Sequence, residues 1–406
     1  MLTRRLVRYG VIATLIATLI AGLVGGSSPF AEAASPPRVS AAAWIVVDGN
    51  TGQVLGGHDI FGEFYPASIT KIMTAYLAIT RGWHDTVVVS PQAADQPGSS
   101  AYLTAGERLK MPGVVTAMML VSGNDAAYAV AQTVAGSVAK FVHMMNAQAK
   151  AWGAPGIHFA NPDGLPNPRH VVTALGMAMI AEHAMRNPIF RRIVATKVSE
   201  LPPDPSPRVY YNQNQLLYDY PGAVGIKIGY TIEADETIVG AARRHGELLI
   251  AVLLHDTPAG LWPDVEHLLT WGFQNFREVT AIRRGQTLGT VTIGHRRVHV
   301  VASRAVEYLE PRGRTLPVRW RLAPLKPDDA RPIPAGTVVG RASVRIGSRT
   351  IATIPAINPR RVQALPPPIH WTWGWLVFPA AVAAASFWPR KSREPSRLAR
   401  GGPTNG

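Results

Sequence analysis

The 406-residue chain contains no cysteine. It therefore has no disulfide, no thiolate nucleophile and no cysteine-based metal site, and its stability must come from its core. A glycine-rich phosphate loop is also absent, and none of the 12 histidines lies in a His-Glu-x-x-His arrangement. His245 and Glu247 stand close together, but in a predicted strand turn, where a solvated polar residue is the ordinary case. We predict neither a metal site nor a cofactor.

The N-terminal end of the chain has the pattern of an export signal. Residues 1–33 combine three arginines, a 15-residue apolar run and the small-x-small sequence at positions 31–33. This pattern is typical of a secretory signal peptide cleaved after Ala33. An uncleaved N-terminal anchor is the alternative interpretation.

The C-terminal end has the pattern of a membrane anchor. Residues 371–388 are 18 residues without a charge, with tryptophans near both ends, and a basic tail covers residues 389–406. Such a run is just long enough to cross a bilayer, and positive residues stay on the cytoplasmic side. We predict a proline-rich linker at 363–370, a transmembrane helix at 371–388 and a cytoplasmic tail. This places the rest of the chain on the extracytoplasmic face of the cell membrane. A buried C-terminal helix is the alternative.

Positive charge is concentrated in one part of the chain. The net charge is +15, and residues 277–361 alone hold 17 lysines and arginines against 5 aspartates and glutamates. Nucleic acid is not expected as a partner of an exported domain. Anionic lipid head groups or anionic wall polymers are the natural partners of such a segment. An arginine-rich, merely solvated surface is the equally weighted alternative.

Apolar periodicity predicts an α/β chain of the α+β type. Helices are expected at 68–80, 173–186 and 265–275, and a helical zone is expected at 112–135 with a break at Gly123. Strands are expected at 41–48, 236–242 and 248–255. From about residue 278, short strands alternate with glycine and proline, which indicates a small all-β module. We therefore predict one mixed domain over residues 40–276 and a small basic β domain over residues 277–362.

Three short motifs occur in order along the mixed domain, and each pairs a hydroxyl or an amine with a polar or small neighbour. They are Ser68-x-x-Lys71, Ser122-x-Asn124 and Lys227-x-Gly229. Taken alone, each is an ordinary helix start, turn or strand end. The ordered triple in an exported chain is of the kind found in penicillin-binding proteins and serine β-lactamases.

The chemistry of the triple follows from its residue types. Positions i and i+3 share a helix face, so Ser68 and Lys71 can touch. A serine hydroxyl needs a base, and lysine becomes one when burial and a nearby positive charge, here that of Lys227, lower its pKa. Ser122 can relay the proton to the leaving amine and Asn124 can hold the substrate amide. Backbone N–H groups of Ser68 and Tyr230 would form the oxyanion hole.

The chain resembles the D-alanyl-D-alanine carboxypeptidase family, the low-molecular-mass penicillin-binding proteins. Residues 65–74 resemble the family's nucleophile segment, residues 121–127 its second motif and residues 161–165 a loop that follows. The resemblance implies a transpeptidase-like domain with an antiparallel sheet flanked by helices. It also implies removal of the terminal D-alanine from peptidoglycan pentapeptides through an acyl-enzyme on Ser68, and acylation of Ser68 by β-lactam antibiotics. Ser68, Lys71 and Ser122 would be catalytic; the substrate would contact Asn124, Lys227, Gly229 and Tyr230.

One position departs from the family pattern. The middle residue of the third motif is usually threonine, whose hydroxyl is thought to help hold the substrate carboxylate, and here it is Ile228. Loss of one hydrogen bond to a charged group lowers a rate or an affinity about 10- to 100-fold. The hydroxyl of Thr231 is a candidate for compensation. We predict a working nucleophile with weakened carboxypeptidase activity.

Two other functions fit parts of the sequence. A serine β-lactamase shares the motifs, although the β module, the anchor and the lack of a convincing Glu-x-x-x-Asn segment argue against it. A catalytically silent binder of wall peptides fits the substitution at Ile228. Penicillin labelling separates the three: an acylated Ser68 excludes the silent binder, and rapid turnover of the adduct favours the β-lactamase.

Overall fold

The computed structural model describes residues 35–201, 208–293, 296–325, 332–347 and 349–363. The predicted signal peptide, transmembrane helix and tail, and all but residue 363 of the linker, lie outside these ranges. Within them, no helix is both long and apolar enough to cross a membrane.

The first unit is built around a five-stranded antiparallel sheet in the order β2-β1-β9-β8-β7. Its strands are β1 (Ala43–Asp48), β2 (Val54–His58), β7 (Ala223–Thr231), β8 (Asp235–Arg244) and β9 (Glu247–Asp256). Two small hairpins accompany it, made of β3 (Thr86–Val88) with β4 (Arg108–Lys110) and β5 (Val198–Leu201) with β6 (Arg208–Tyr211).

Helices cover both faces of this sheet. They are α1 (Lys71–Arg81), α2 (Pro91–Ala94), α3 (Met111–Leu120), α4 (Asn124–Ala135), α5 (Val138–Trp152), α6 (Ala174–Met185), α7 (Pro188–Val194), α8 (Leu216–Asp219) and α9 (Leu261–Asn275). The mixed α/β fold with antiparallel sheets, predicted from the sequence, is confirmed.

The central strand β9 explains why the sheet needs two helical layers. Its apolar run is buried on both sides: Ile250 and Val252 face the core beneath α1, α3, α4 and α6, whereas Leu249 and Leu253 face α9. A strand buried on both faces has no polar side to leave in water. The sheet is therefore held rigidly between the layers, and its edge strand β7 borders the nucleophile segment.

Several predicted boundaries were wrong. The helix expected from residue 68 begins at Lys71, because Ala67–Thr70 form a 3₁₀ turn. By contrast, the break expected at Gly123 within the 112–135 zone is confirmed, since two helices there are separated at residues 121–123. The helices α5 and α7 were not predicted. Lys227-x-Gly229, expected between a turn and a strand, lies inside β7.

From Phe276 onward the described residues with regular structure form strands. They are β10 (Phe276–Ile282), β11 (Thr287–Ile293), β12 (Arg296–Ala302), β13 (Val306–Pro311), β14 (Val318–Pro324), β15 (Val338–Ile346) and β16 (Arg349–Ile357). Five of them form a sheet in the order β11-β12-β16-β15-β14, and β10 pairs with β13. This second unit has its own apolar core, which includes Val300, Val344 and Ile354.

Candidate active site

The turn that carries Ser68 brings its hydroxyl to Lys71. Residues Ala67–Thr70 form one 3₁₀ turn that leads directly into α1. A 3₁₀ helix has three residues per turn, so side chains at i and i+3 lie one above the other. The Lys71 ammonium nitrogen Nζ donates to Ser68 Oγ at 2.8 Å. Ser68 itself is partly accessible, whereas Lys71 is fully buried.

Three contacts fix the amine of Lys71. Besides Ser68 Oγ, Nζ donates to Asn124 Oδ1 at 2.7 Å and to the carbonyl oxygen of Asp163 at 2.6 Å. Burial lowers the pKa of Lys71 to about 8, against a smaller opposite effect of the carboxylates of Asp163 and Asp125. An amine with this pKa is partly neutral near physiological pH and can accept a proton from a hydroxyl.

The second motif lies in the connection between α3 and α4. Ser122 is almost fully buried and has a left-handed backbone, with φ of 63°. Asn124 begins α4, and its side chain accepts from Lys71 and donates from Nδ2 to the carbonyl of Pro97 at 2.6 Å. The second motif is thus joined to the first through Asn124.

Lys227 points into the same buried region from β7. It is 2% exposed, and its Nζ donates to the carbonyl of Ile228 at 3.0 Å. Burial, followed by the charge of Lys71, holds the pKa of Lys227 well below its usual value. Burial is the largest cause of the lowered pKa at both lysines, and the expected effect of Lys227 on the pKa of Lys71 stays a prediction.

Close approach of β7 to the nucleophile requires the glycine of the third motif. A Cβ at Gly229 would lie 2.5 Å from the backbone nitrogen of Ser68. The buried Thr237 opposite it on β8 donates to the carbonyls of Pro66 and Gly229 at 2.9 and 3.1 Å. No motif indicated this role of Thr237, because its local sequence resembles that of any strand threonine. Tyr230 follows on β7 with 57% of its side chain exposed.

The loop at residues 161–165 contacts both the nucleophile turn and α1. Thr74 of α1 donates to the carbonyl of Pro162 at 2.6 Å, next to the Asp163 carbonyl that accepts from Lys71. Gly164 has φ of +92°, and a Cβ there would lie 1.8 Å from the carbonyl oxygen of Ala67. The carboxylate of Asp163 accepts a hydrogen bond from the N–H of Leu165 within this loop, as a turn residue does. The sequence did not indicate that the carbonyl oxygen of Asp163 accepts a hydrogen bond from Lys71.

A buried histidine connects a later loop to the nucleophile turn. His170 Nε2 and Thr70 Oγ1 are 3.0 Å apart, and both side chains are buried. Burial lowers the pKa of His170 to about 3, with smaller effects of the same sign from His158 and Lys71. The imidazole is therefore neutral and adds no charge beside Lys71. Nothing in the local sequence indicated this contact.

The side chain of Ile228 lies on the other face of β7. Ile228 stands directly opposite Ile238 of β8, and both pack on the α9 side of the sheet. Gly229 stands opposite Thr237, whose hydroxyl faces Pro66 and the nucleophile turn. Thr231 Oγ1, the candidate for compensation, accepts from the N–H of Ala234 in the β7–β8 turn.

Fold and geometry together define a serine hydrolase: a serine hydroxyl bonded to a buried lysine of lowered pKa, beside a glycine-lined sheet edge. In the described ranges, no group of three His, Asp or Glu side chains could hold a metal ion. The family model for D-alanyl-D-alanine carboxypeptidases, peptidase family S11, matches residues 30–257. The chain therefore belongs to this family.

Relatives share both units to different extents. D-alanyl-D-alanine carboxypeptidase DacB2 of Mycobacterium tuberculosis is 35% identical over 58% of this chain and 84% of its own length. DacF of Bacillus subtilis is 28% identical over 78% of this chain and 84% of its own. The crystal structure of penicillin binding protein 5 from Haemophilus influenzae has a TM-score of 0.66, with 25% identity over 81% of this chain and 99% of that chain.

These similarities confirm the resemblance stated from the motifs. The chain is a serine-type D-alanyl-D-alanine carboxypeptidase acting on peptidoglycan, and the β-lactamase and the silent binder are not favoured. The family binds β-lactams, and its members act on peptidoglycan outside the cytoplasm.

Proposed function

We propose that Ser68 attacks the carbonyl of the penultimate D-alanine and that Lys71 takes its proton. The proposal is carried by the 2.8 Å bond between Lys71 Nζ and Ser68 Oγ, in a setting that lowers the pKa of the amine. Three acceptors hold Nζ, so the base is oriented before the substrate arrives. Preorganisation of this kind removes the need for reorganisation during the reaction.

The remaining steps use the other two motifs. In our proposal, Ser122 passes the proton to the leaving D-alanine amine, and Asn124 contacts the substrate amide in addition to holding Lys71. Backbone N–H groups of Ser68 and Tyr230 stabilise the oxyanion. Lys227 attracts the terminal carboxylate of the substrate. The negative charge of this carboxylate favours the protonated form of Lys227 and so offsets the effect of burial on its pKa. Water then hydrolyses the acyl-enzyme and frees Ser68.

The rate of acylation should depend on the protonation of Lys71. With a pKa lowered to about 8, the amine is mostly charged at pH 6 and mostly neutral at pH 9. We expect the second-order rate constant for penicillin acylation to rise about tenfold per pH unit below this pKa and to level off above it. Stopped-flow labelling between pH 6 and 9.5 measures this. A flat profile, with circular dichroism showing an intact fold throughout, contradicts Lys71 as the base.

The substitution at Ile228 offers a test of substrate binding. The prediction from the motif is that Ile228→Thr increases D-alanine release about 10- to 100-fold. The register argues for a smaller gain, because the side chain at 228 shares a sheet face with Ile238 and not with Gly229. Steady-state kinetics with a D-Ala-D-Ala peptide decide between the two expectations. Ile238→Thr, the opposite position on β8, is the matched control for introducing a hydroxyl into the same apolar face.

We also propose that the protein is attached to the membrane. The uncharged run at residues 371–388, followed by a basic tail, supports a C-terminal transmembrane helix, and residues 1–33 support export through a signal peptide. Fractionation of cells making the full chain and a chain ending at residue 363 tests this. Recovery of the full chain in the soluble fraction would exclude the anchor.

A further inference from the structure

The face of the β14–β15–β16 sheet that meets solvent carries arginines and no carboxylate. These three strands carry five arginines and not one aspartate or glutamate: Arg319, Arg321, Arg341, Arg345 and Arg349. The opposite face packs into the core of the second unit through residues such as Ala342, Val344 and Ile354. Four of the five arginines therefore lie on the side that meets solvent, whereas Arg349 stands opposite Ile346 and lines the cleft toward the first unit.

Strand register gathers four of these arginines into one patch, which we call the arginine track. Arg319 lies directly opposite Arg345, Arg321 opposite Ser343, and Ala323 opposite Arg341. Residues directly opposite each other in an antiparallel pair point to the same face. At a rise of about 3.3 Å per residue and a strand spacing of about 5 Å, their Cα atoms cover roughly 13 by 5 Å. All four side chains are exposed.

Three arginines of the track have no carboxylate partner among the residues that the structure describes. Arg319, Arg321 and Arg341 make no ion pair there. A bound anion would supply the counter-charge that these three side chains lack.

One end of the track opens into a cleft between the two units. Arg345 is opposite Thr350, and Thr350 lines a cavity of about 960 Å³. The wall formed by the second unit contributes Arg304 and Arg349. Arg349 also donates to the carbonyl of Gly52 in the β1–β2 turn, which joins the units beside the cleft. The cleft is also lined by Glu182, Glu278 and Glu307, which partly balance its arginines. The excess of positive charge is therefore greater on the arginine track than in the cleft.

We propose that the arginine track binds a linear polyanion of the cell wall, with phosphodiester or carboxylate groups along its length. Arginine forms paired hydrogen bonds with such groups. The track is narrow, runs along the strand direction and continues into a concave cleft, a shape that a chain can follow and a flat bilayer cannot. Binding would hold the enzyme at the wall, and the cellular location of this polymer rests on the extracytoplasmic placement given above.

The test uses the full chain in neutral detergent with fluorescently labelled inorganic polyphosphate as the probe. Anisotropy titrations are run between 50 and 200 mM NaCl on the wild type and on Arg319→Gln/Arg321→Gln/Arg341→Gln. Each arginine at an anionic surface contributes roughly fivefold in affinity, so the triple variant should bind on the order of 100-fold more weakly. The slope of log Kd against log salt should fall by about 2, as for contacts to a single-stranded polyanion.

The matched control is Arg81→Gln/Arg108→Gln/Arg192→Gln, which removes the same charge from exposed positions of the first unit. We expect its affinity to stay within twofold of wild type. An equal loss of affinity in both triple variants would show that binding depends only on the net charge of the protein, and it would overturn the proposal. If the wild type does not bind polyphosphate, the proposal is also overturned. If that wild type binds anionic but not zwitterionic vesicles, the arginine track is a lipid-binding face instead. D-alanine release from a short peptide, expected to be unchanged in both triples, reports separately on the catalytic proposal.

Discussion

Ser68→Ala should abolish both penicillin labelling and D-alanine release. Removing the hydroxyl leaves Lys71 without a nucleophile to deprotonate, and loss of a covalent nucleophile lowers turnover on the order of 10⁴-fold or more. The side chain is partly accessible and bonded to Lys71, and the change to alanine removes one hydrogen bond without adding volume. Stability should therefore change little, which thermal unfolding can verify.

The experiment compares purified wild type, Ser68→Ala and Ser137→Ala by fluorescent-penicillin labelling and by mass spectrometry of the adduct. Ser137 caps the N-terminus of α5 and belongs to none of the three motifs, so its variant should lose about 1 kcal/mol of stability and still be labelled by penicillin. An adduct that persists in Ser68→Ala, or that maps to another residue in the wild type, would remove Ser68 from the mechanism.

Gly164→Ala should disable the site although residue 164 bears no reactive group. Two effects combine: a side chain at φ of +92° is strained, and its Cβ would lie 1.8 Å from the carbonyl oxygen of Ala67. The peptide that precedes Ser68 would have to move, together with the loop whose Asp163 carbonyl holds Lys71. We expect a loss of more than about 3 kcal/mol in the free energy of unfolding and at least about a 100-fold slower acylation.

Gly136→Ala is the matched control for Gly164→Ala, because it introduces the same backbone strain without a steric clash. Gly136 ends α4 at φ of +76°, and nothing lies within 4 Å of a Cβ built there. This variant should lose only about 1 kcal/mol, the ordinary penalty of a left-handed alanine, and keep its acylation rate. Urea unfolding and penicillin acylation are measured for both. Equal effects of the two substitutions would mean that the contact between the 161–165 loop and the nucleophile turn does not matter.

The sequence was most informative where chemistry depends on residues close together in the chain. The spacing of Ser68 and Lys71 predicted their contact, although the turn is 3₁₀ and not α-helical. The apolar run of β9 likewise predicted a buried strand. The glycine of the second motif predicted the break in the 112–135 zone, and the structure adds that Asn124 and Asp125 contact the 97–103 loop there. The start of the first helix was not predicted, because Ala67–Thr70 form a 3₁₀ turn.

Contacts between distant segments could not be read from the chain. Thr237 and His170 reach the nucleophile turn across 171 and 100 residues, and neither belongs to a motif. The face taken by Ile228 follows from its pairing with Ile238, which is a property of sheet register. Burial of Lys71, the main cause of its lowered pKa, likewise requires the assembled core.

The amino-acid sequence by itself determined the residue types that react, their order, the absence of thiol chemistry and the concentration of arginine after residue 277. These are local or compositional properties, and they are fixed once the chain is written. Tertiary structure decided how strongly Lys71 is desolvated, which carbonyls hold it, which face Ile228 occupies and that four arginines form one track. Each of these depends on distances between segments far apart in the chain, and such distances exist only after the sheet and its helices have packed.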